Sequence, residues 1–129
     1  MPYQQFHVLD DAANSRYILV DVGDEEAISR AEPGGESQVI QAGLIDYVDV
    51  RGADATERVL VHTEVDPSYE GHGLASVLAK GALDSITSHG YRVVPVCPYI
   101  AAWLPRHPEF AAITIRPDSR HLRAVAELP

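Results

Sequence analysis

The stretch RVLVHTEVDPSYEGHGLASVL, residues 58–78, decides the fold, because an apolar strand pattern runs through two glycines into a helical pattern. Glycine costs about 1 kcal/mol relative to alanine inside a helix or strand, so neither Gly71 nor Gly73 supports the secondary structure around it. Two interpretations of the pair stay open. The glycines form a tight turn that needs a positive φ, or they let a phosphate approach the amides at the start of the helix.

Residue patterns on both sides of this junction predict one domain of α/β or α+β class that covers residues 1–129. Alternating or continuously apolar runs predict strands at about residues 5–10, 16–22, 39–50, 57–65 and 91–96. Helical spacing predicts a helix over 74–89 that ends before Gly90, and a short helix over 100–106 that Pro105 breaks. The first two strands are close in sequence, which favours an antiparallel hairpin.

Two segments fall outside these elements. The acidic stretch at about residues 23–37 contains Pro33-Gly34-Gly35 and is predicted to be a solvated loop. The C-terminal tail at about residues 111–129 is predicted to add a strand at 112–116 before a polar end.

The composition is that of a globular chain with an excess of acid. The 129 residues carry a formal net charge of −9 and include 46% hydrophobic residues, a balance that predicts a folded chain. The negative charge argues against nucleic acid, since phosphate contacts need clustered lysine and arginine, and against anionic membrane surfaces. It is compatible with a cationic acceptor.

Cysteine and histidine usage argues against two further kinds of site. Cys97 is the single cysteine, so no internal disulfide forms, and the six histidines show no spacing that favours a metal site. The first residues show no signal-peptide pattern, and the longest apolar run is too short to cross a bilayer. We therefore expect a cytoplasmic protein without a metal cofactor.

Known phosphate-binding loops differ in the residues that follow the glycines. A Walker loop requires Gly-Lys-Ser or Gly-Lys-Thr, where this chain has Gly73-Leu74-Ala75. A dinucleotide-binding fold requires an acidic residue after the next strand, and that strand ends in VPVCPY, residues 94–99. Both loop types are therefore disfavoured.

The segment EGHGLA, residues 70–75, resembles the acyl-CoA-binding loop of the GNAT N-acetyltransferases, whose pattern is [Gln/Arg]-x-x-Gly-x-[Gly/Ala]. The segments HTEVDPSYEGHGLASVLAKGAL at 62–83 and YRVVPVCPYIAAWLPRHPEF at 91–110 are similar to the small single-domain, YjdJ-type subgroup of that family. The resemblance covers about residues 16–110. Glu70 departs from the family's Gln or Arg, and its carboxylate opposes a bound pyrophosphate.

The resemblance implies a minimal GNAT-like fold with a mixed, mostly antiparallel twisted sheet, splayed central strands and about two helices. It also implies that acetyl-CoA is the cosubstrate, with its pantetheine arm in the gap between the splayed strands. The pyrophosphate is then expected on the amides of the glycine loop. The residues expected at CoA are Thr63, Val65, Gly71, His72, Gly73, Ala75 and Ser76.

Acetyl transfer to an amine needs a base for the ammonium proton, a donor for the oxyanion and an acid for the leaving thiolate. Strand alternation places Leu60, His62 and Glu64 on one face, opposite a face with Thr63 and the valines. If that second face is core, His62 and Glu64 point toward the acceptor, and partial burial would suit Glu64 to the role of base. A cross-strand pair or a plain surface role is the alternative for both residues.

Cys97 follows the second splayed strand, close to the expected thioester. It is a candidate nucleophile with His62 as its natural partner, a candidate acid, or a small apolar residue packed beside pantetheine. Many GNAT enzymes carry a tyrosine in the last helix as the acid. Here Trp103 and Leu104 stand in the helix, and Tyr99 is expected near the strand end, so the acid is expected to be Cys97 or water.

These residues predict an acetyl-CoA-dependent N-acetyltransferase that acts on an amine, either a small molecule or a protein amino group. A CoA-binding or sensing module with little turnover is the alternative, favoured by Glu70 and by the absent helix tyrosine. A third possibility is an interaction domain in which the glycines only shape a turn. The sequence predicts neither the acceptor nor the oligomeric state.

Overall fold

The structure is a computed structural model that describes residues 4–23, 39–71 and 73–129. The predicted acidic loop at 23–37 lies outside these residues apart from Gly23, and His72 lies outside them as well. Five strands are described: β1 (Phe6–Asp11), β2 (Arg16–Asp21), β3 (Ile40–Arg51), β4 (Thr56–Val65) and β5 (Arg92–Pro95). The α-helices are α1 (Leu74–Ser88), α2 (Pro98–Trp103) and α3 (Ser119–Ala126), with short 3-10 helices between the elements. None of the described helices is both long and apolar enough to span a membrane.

The described strands form a sheet in the order β1-β2-β3-β4-β5. Neighbouring strands from β1 to β4 are antiparallel, whereas β4 and β5 are parallel because α1 connects them as a crossover. The predicted α/β class with a mixed, mostly antiparallel sheet is confirmed. Pro95 is tolerated because it is the last residue of an edge strand.

Helix α1 packs on the sheet through the apolar stripe that its sequence predicts. Its buried residues recur every three or four positions and are Leu74, Leu78, Ala79, Ala82, Leu83 and Ile86. Gly81 lets the helix lie close to β1, since a Cβ on Gly81 would come within 2.5 Å of Val8. The helix ends where the sequence predicts, because Gly90 follows it with a φ of +72°.

Strand β4 and the edge strand β5 separate after four paired residues on each strand. β4 and β5 pair over residues 57–60 and 92–95. The Leu60 carbonyl then accepts the Cys97 N–H at 2.8 Å, and Pro98 begins α2 because proline suits the first helical position. Beyond Leu60, β4 continues with no strand on its β5 side among the described residues. The splayed strands that the resemblance implies are therefore present.

The C-terminal tail corrects the prediction of a strand at 112–116. A 3-10 helix covers Pro108–Ile113 instead, and an isolated bridge joins Thr114 to Val93. Pro117 follows and lacks the N–H that a longer ladder needs. The short alternation in this segment therefore produces one bridge and no strand.

Helix α3 lies in the segment that was predicted only as a polar end. Asp118 caps it, since its side chain accepts the Arg120 N–H at 2.9 Å and its own N–H donates to His121 Nδ1 at 2.9 Å. His121 is fully buried, and its Nε2 lies 2.7 Å from the Glu57 carboxylate at the start of β4. Polar contacts hold this helix to the sheet, which explains why hydrophobic periodicity does not predict it.

A buried charged cluster joins the first four strands. Arg58 donates to both carboxylate oxygens of Asp49, at 2.8 and 2.9 Å, and to the Tyr17 hydroxyl at 2.8 Å. The Tyr47 ring centre lies 3.9 Å from the guanidinium carbon, and the Tyr47 hydroxyl donates to Asp10 at 2.6 Å. Burial lowers the pKa of Arg58, but the hydrogen bonds with Asp49 and Tyr17 outweigh burial and raise it, so Arg58 keeps its charge. The cluster fixes the start of β4 against its neighbours.

Candidate functional site

The far end of β4 presents backbone groups to the gap between β4 and β5. Asp66, directly after β4, donates its N–H to the Ala42 carbonyl on the β3 side at 2.7 Å. Backbone groups of successive strand residues point to opposite sides, so the N–H and C=O groups of Thr63 and Val65 point away from β3. They face the gap and are available to a ligand that lies along the strand.

The glycine loop, residues 70–73, leads the chain from β4 into α1 through two left-handed positions. Gly71 has a φ of +86° and Gly73 a φ of +68°, angles that favour glycine over residues with a Cβ. A Cβ at either position would meet no atom within 4 Å, so backbone angle and not crowding requires the glycines. The tight turn is therefore present. The open space around it also has room for a phosphate, so the structure is compatible with both interpretations.

Helix α1 begins with amide donors that receive no cap from its N-cap residue, because Gly73 makes no side-chain hydrogen bond. Gly73 is its N-cap, and Val77 makes the first helical bond, from its N–H to the Gly73 carbonyl at 3.4 Å. The amides of Leu74, Ala75 and Ser76 therefore point out of the start of the helix. Their partial positive charge, added to that of the helix dipole, suits this position to an anion.

A surface pocket of about 370 Å³ adjoins the start of α1. Trp103 and His107 form one wall, with ring centres 3.6 Å apart and planes 9° from parallel. The Trp103 indole donates to Ser76 Oγ at 2.9 Å, which fixes the ring against α1. Lys80 lines the same pocket and pairs with Asp84 at 2.8 Å, and both of their side chains are about half exposed. The pocket thus combines a flat aromatic wall with a positive charge.

Cys97 lies in the wall of the gap and is only 3% exposed. Its Sγ lies 3.2 Å from the Thr63 hydroxyl. The predicted pairing with His62 is wrong, because alternation places Thr63, and not His62, on the buried side of β4. The His62 Nε2 lies instead 3.8 Å from the Glu64 carboxylate on the exposed side.

A bulge in the β3–β4 ladder shifts the alternation of β4. Tyr47 pairs with Leu60, whereas the preceding residue Asp46 pairs with His62, so Val61 has no partner opposite it. Leu60 is fully buried in the core cluster that also contains Tyr47. This corrects the prediction that Leu60 shares a face with His62. The bulge arises from the pairing between strands, which alternation along one strand does not report.

His62 and Glu64 point to the same side of β4, as alternation predicts. Their side chains are 56% and 66% exposed, so the partial burial predicted for Glu64 is not found. Both side chains point away from the core, and the exposed end of β4 leaves them in contact with water. Glu64 also borders a pocket of about 380 Å³ lined by residues 41–44 and 64–67. Asp66 adds a second carboxylate to this pocket, which suits it to a positively charged group.

Tyr99 lies in α2 and not at the strand end, because the helix begins at Pro98. Burial raises the pKa of Tyr99, and the charge of Arg106 and a hydrogen bond with Ser76 only partly offset this, while the neighbouring Cys97 adds to it. The phenol therefore keeps its proton at neutral pH beside both the start of α1 and the thiol. Proline at the first helical position is the sequence signal that could have placed Tyr99 in the helix.

The site as a whole joins an exposed strand edge to a helix start that can bind an anion. The free edge of β4 and the Cys97 thiol border the gap, and Tyr99 lies near Ser76 at the start of α1. Within residues 4–23, 39–71 and 73–129, no group of three or more His, Cys, Asp or Glu side chains could hold a metal ion.

A protein-family model matches the part of the chain that builds this site. The family is described as GCN5-related N-acetyl-transferase, and the match covers residues 33–113, more than half of the 129 residues. The chain belongs to the GCN5-related N-acetyltransferases. The matched range includes β3, β4, the glycine loop, α1, β5 and α2, and it confirms the resemblance to the GNAT family.

Named relatives match a shorter part of the chain. Protein NATD1 of Bos taurus is 38% identical over 65 residues, which are 50% of this chain and 53% of that protein. The NATD1 proteins of Gallus gallus and Homo sapiens are each 37% identical over 65 residues, 50% of this chain, with 54% and 53% of their own lengths covered. The chain thus spans about half the length of the curated relatives it matches. The name NATD1 identifies no substrate, so these relatives assign none to this GCN5-related N-acetyltransferase.

Proposed function

We propose that this GCN5-related N-acetyltransferase binds acetyl-CoA and moves the acetyl group to an amine. One observation carries the proposal: the free edge of β4 leads, through the short segment 66–73, to a start of α1 that Gly73 leaves without a side-chain cap. A strand edge can pair with the amides of pantetheine, and a helix start can bind the pyrophosphate beyond them. The two features follow each other in the same order as these groups in acetyl-CoA.

The main chain supplies most of the proposed contacts to the donor. The proposed CoA-binding residues are Thr63, Val65, Gly71, His72, Gly73, Ala75 and Ser76, of which His72 lies outside the described residues. Strand residues in this set pair with the pantetheine arm, and loop and helix residues hold the pyrophosphate. Glu70 is exposed, so its carboxylate can stay in water and away from the phosphates.

The pocket beside α1 is proposed to take the nucleotide end of acetyl-CoA. Adenine can stack on the aromatic wall formed by His107 over Trp103. Lys80 can meet a phosphate at the same time. Its pair with Asp84 does not prevent this, because an exposed i,i+4 pair is worth only about 0.3–0.5 kcal/mol.

In the proposed transfer, the amine nitrogen attacks the thioester carbonyl carbon, a C–N bond forms and the C–S bond breaks. Glu64 is the candidate base that takes the ammonium proton, with His62 3.8 Å away as a second proton acceptor. The CoA thiolate takes a proton from Tyr99, which is neutral at neutral pH because its pKa is raised and which lies beside Ser76 at the start of α1. This assignment replaces the sequence expectation of Cys97 or water as the acid.

Cys97 stays a candidate nucleophile or second acid. Its contact at 3.2 Å is the neutral hydroxyl of Thr63, which favours direct transfer, because cysteine nucleophiles are usually activated by a base or a cation. Intact-mass measurement after incubation with acetyl-CoA tests this, and direct transfer predicts an unmodified protein. An acetylated Cys97 that loses its acetyl group when an amine is added would establish the covalent route instead.

Thermal unfolding with and without acetyl-CoA tests the binding half of the proposal. At about a hundredfold excess over Kd, a ligand adds about 2.7 kcal/mol to the free energy of unfolding, which gives a measurable rise in Tm. Gly73→Val should reduce this rise, because a branched Cβ crowds the amides. Gly90→Val is the matched control, since Gly90 has a similar φ of +72° and equal open space but lies at the other end of α1. If acetyl-CoA does not change the Tm of the wild-type protein, the proposal is contradicted. The remaining hypothesis is then the interaction domain in which the glycines only shape a turn.

The second candidate is a CoA-binding or sensing module with little turnover. Glu70 favours it, because an exposed carboxylate stands where the family carries Gln or Arg. This module would show the rise in Tm but no release of free CoA thiol. Release of CoA with a polyamine or a lysine peptide as acceptor, measured with a thiol reagent, decides for the transferase.

A further inference from the structure

Asp21 at the end of β2 is a buried carboxylate that accepts three hydrogen bonds. The Tyr69 hydroxyl donates to its Oδ2 at 2.5 Å, and Gln5 Nε2 and the Gly23 N–H donate to its Oδ1 at 3.0 and 2.8 Å. The exposure of Asp21 is 8%. None of these four residues takes part in the proposed transfer, so the cluster has a different role.

Tyr69 connects this hydrogen-bonded cluster to the glycine loop. It is the last residue of the 3-10 helix Pro67–Tyr69, and only Glu70 separates it from Gly71. Its ring packs edge-on against Phe6 of β1, with ring centres 6.0 Å apart. A contact made by Tyr69 therefore acts on the chain where it enters the loop.

Apolar packing and hydrogen bonding both support the loop on this side, since Phe6 and Tyr69 also pack against the hydrophobic core. A pocket of about 460 Å³ opens between β1 and the loop, lined by Gln5, Phe6, Ser68, Tyr69 and Leu74. The hydrogen bond from Tyr69 to Asp21 lies beside this pocket and adds a constraint where open space supplies no dispersion contacts. At the far end of the loop, Leu74 is only 6% exposed and fixes the start of α1 in the core.

The protonation states of the two groups strengthen their hydrogen bond. Burial would raise the pKa of Asp21, but the hydrogen bonds from Tyr69, Gln5 and the Gly23 N–H outweigh burial and lower it. The hydrogen bond with Asp21 in turn raises the pKa of Tyr69. At neutral pH a neutral phenol thus donates to a charged carboxylate, a combination that gives short and strong hydrogen bonds.

We propose that Asp21 and Tyr69 are positioning residues that hold the glycine loop in the form that binds acetyl-CoA, a role that rests on the proposed function. Neither side chain touches the ligand. Their hydrogen bond reduces the number of loop conformations before binding, so less conformational entropy is lost when the pyrophosphate binds. The β1–β2 hairpin thereby contributes to CoA affinity from outside the site.

Tyr69→Phe removes the hydroxyl and keeps the ring against Phe6. We expect the Kd for CoA, measured by calorimetry, to rise about threefold to tenfold, as the loss of a hydrogen bond to a charged group would allow. The KM for acetyl-CoA should rise by the same factor while kcat stays unchanged. In the ligand-free protein, hydrogen exchange at the amides of residues 73–76 should become faster, because the loop opens more often.

Tyr47→Phe is the matched control. The Tyr47 hydroxyl donates to Asp10 at 2.6 Å, so this variant also removes a short tyrosine–aspartate hydrogen bond, but in the buried cluster around Arg58. We expect lower stability, an unchanged Kd for CoA and unchanged exchange at residues 73–76. An equal rise in Kd in both variants would overturn the positioning role, because general loss of stability would then explain it.

Asp21→Asn tests the same hydrogen bond from its acceptor. If both residues act through one bond, Asp21→Asn combined with Tyr69→Phe should bind CoA no more weakly than Asp21→Asn alone. A wild-type Kd in Tyr69→Phe would overturn the positioning role and leave the proposed function intact. Failure of the wild-type protein to bind CoA at all would overturn the proposed function, and the positioning role with it.

Discussion

Tyr99 and Glu64 differ in their surroundings in the way that a proton donor and a proton acceptor should. Burial raises the pKa of Tyr99, whereas Glu64 is 66% exposed and in contact with water. A neutral phenol with a raised pKa keeps its proton until a leaving group takes it, and an exposed carboxylate can pass a proton on to solvent. Each residue can therefore be tested without disturbing the other.

Tyr99→Phe should lower kcat by about a hundredfold, because general acid catalysis is lost while the ring stays packed. The Kd for CoA should stay close to the wild-type value. In the wild-type protein the raised pKa keeps Tyr99 protonated, so deprotonation of this group should not reduce kcat until the pH passes the ordinary tyrosine value of 10.0. A pH–rate profile of both proteins measures this. If Tyr99→Phe keeps the wild-type kcat, Tyr99 is not the general acid, and Cys97 or water must supply the proton.

Glu64→Gln should lower kcat and leave the affinity for CoA unchanged, because only the proton transfer is lost. Asp46→Asn is a suitable control, since Asp46 is a partly exposed carboxylate opposite His62 that pairs with Arg16 at 3.2 Å. Steady-state kinetics with a fixed amine should show near wild-type kcat for the control. Equal kcat in wild type and Glu64→Gln would remove Glu64 as the base.

At the level of the element, residue periodicity predicted the strands and α1 but not their irregularities. β4 shows the alternation and α1 the apolar stripe, and both lie within a residue or two of their predicted bounds. The bulge at Val61 depends on how β4 pairs with β3, which no single strand encodes. The face of Leu60 was therefore predicted wrongly, while the glycine loop was placed correctly.

Helix ends that polar residues and proline determine were not predicted from the sequence. α2 begins at Pro98 and brings Tyr99 into a helix, and α3 is held by His121 against Glu57. Neither feature depends on apolar periodicity, so a method based on that periodicity misses both. The partner of Cys97 was missed for a related reason, since the contact with Thr63 links elements that are far apart in sequence.

The packing of α1 on β1 gives a prediction for a whole element. Gly81→Ala adds a Cβ that would lie 2.5 Å from Val8, so α1 must move away from the sheet. We expect a net loss of about 1–3 kcal/mol in the free energy of unfolding, although alanine is the better helix former. Urea unfolding measures this loss. In a Val8→Ala background the clash is relieved, and Gly81→Ala should then be neutral or stabilising, whereas a persistent loss there would point away from this contact.

Over the whole molecule, the net charge of −9 and a few well-bonded carboxylates act in opposite directions as the pH falls. Protonation of exposed acids relieves self-repulsion, which favours the compact state on mild acidification. Hydrogen bonds lower the pKa of Asp21 despite its burial, and the hydrogen bond with Arg120 lowers the pKa of Asp118. These two groups favour the folded state only while they are ionised.

The sign of this linkage predicts the acid limit of stability. Because the pKa of Asp21 in the folded state lies below its ordinary value of 3.8, its contribution is fully present above that value and is lost as the pH falls through the lower folded value. The Tm should therefore stay level or rise slightly from neutral pH to about pH 5, and fall steeply below about pH 4. Asp21→Asn should have a lower Tm at neutral pH and a shallower fall in acid, because it has no proton to gain at that position. Identical acid slopes in the two proteins would show that Asp21 does not contribute to the acid limit.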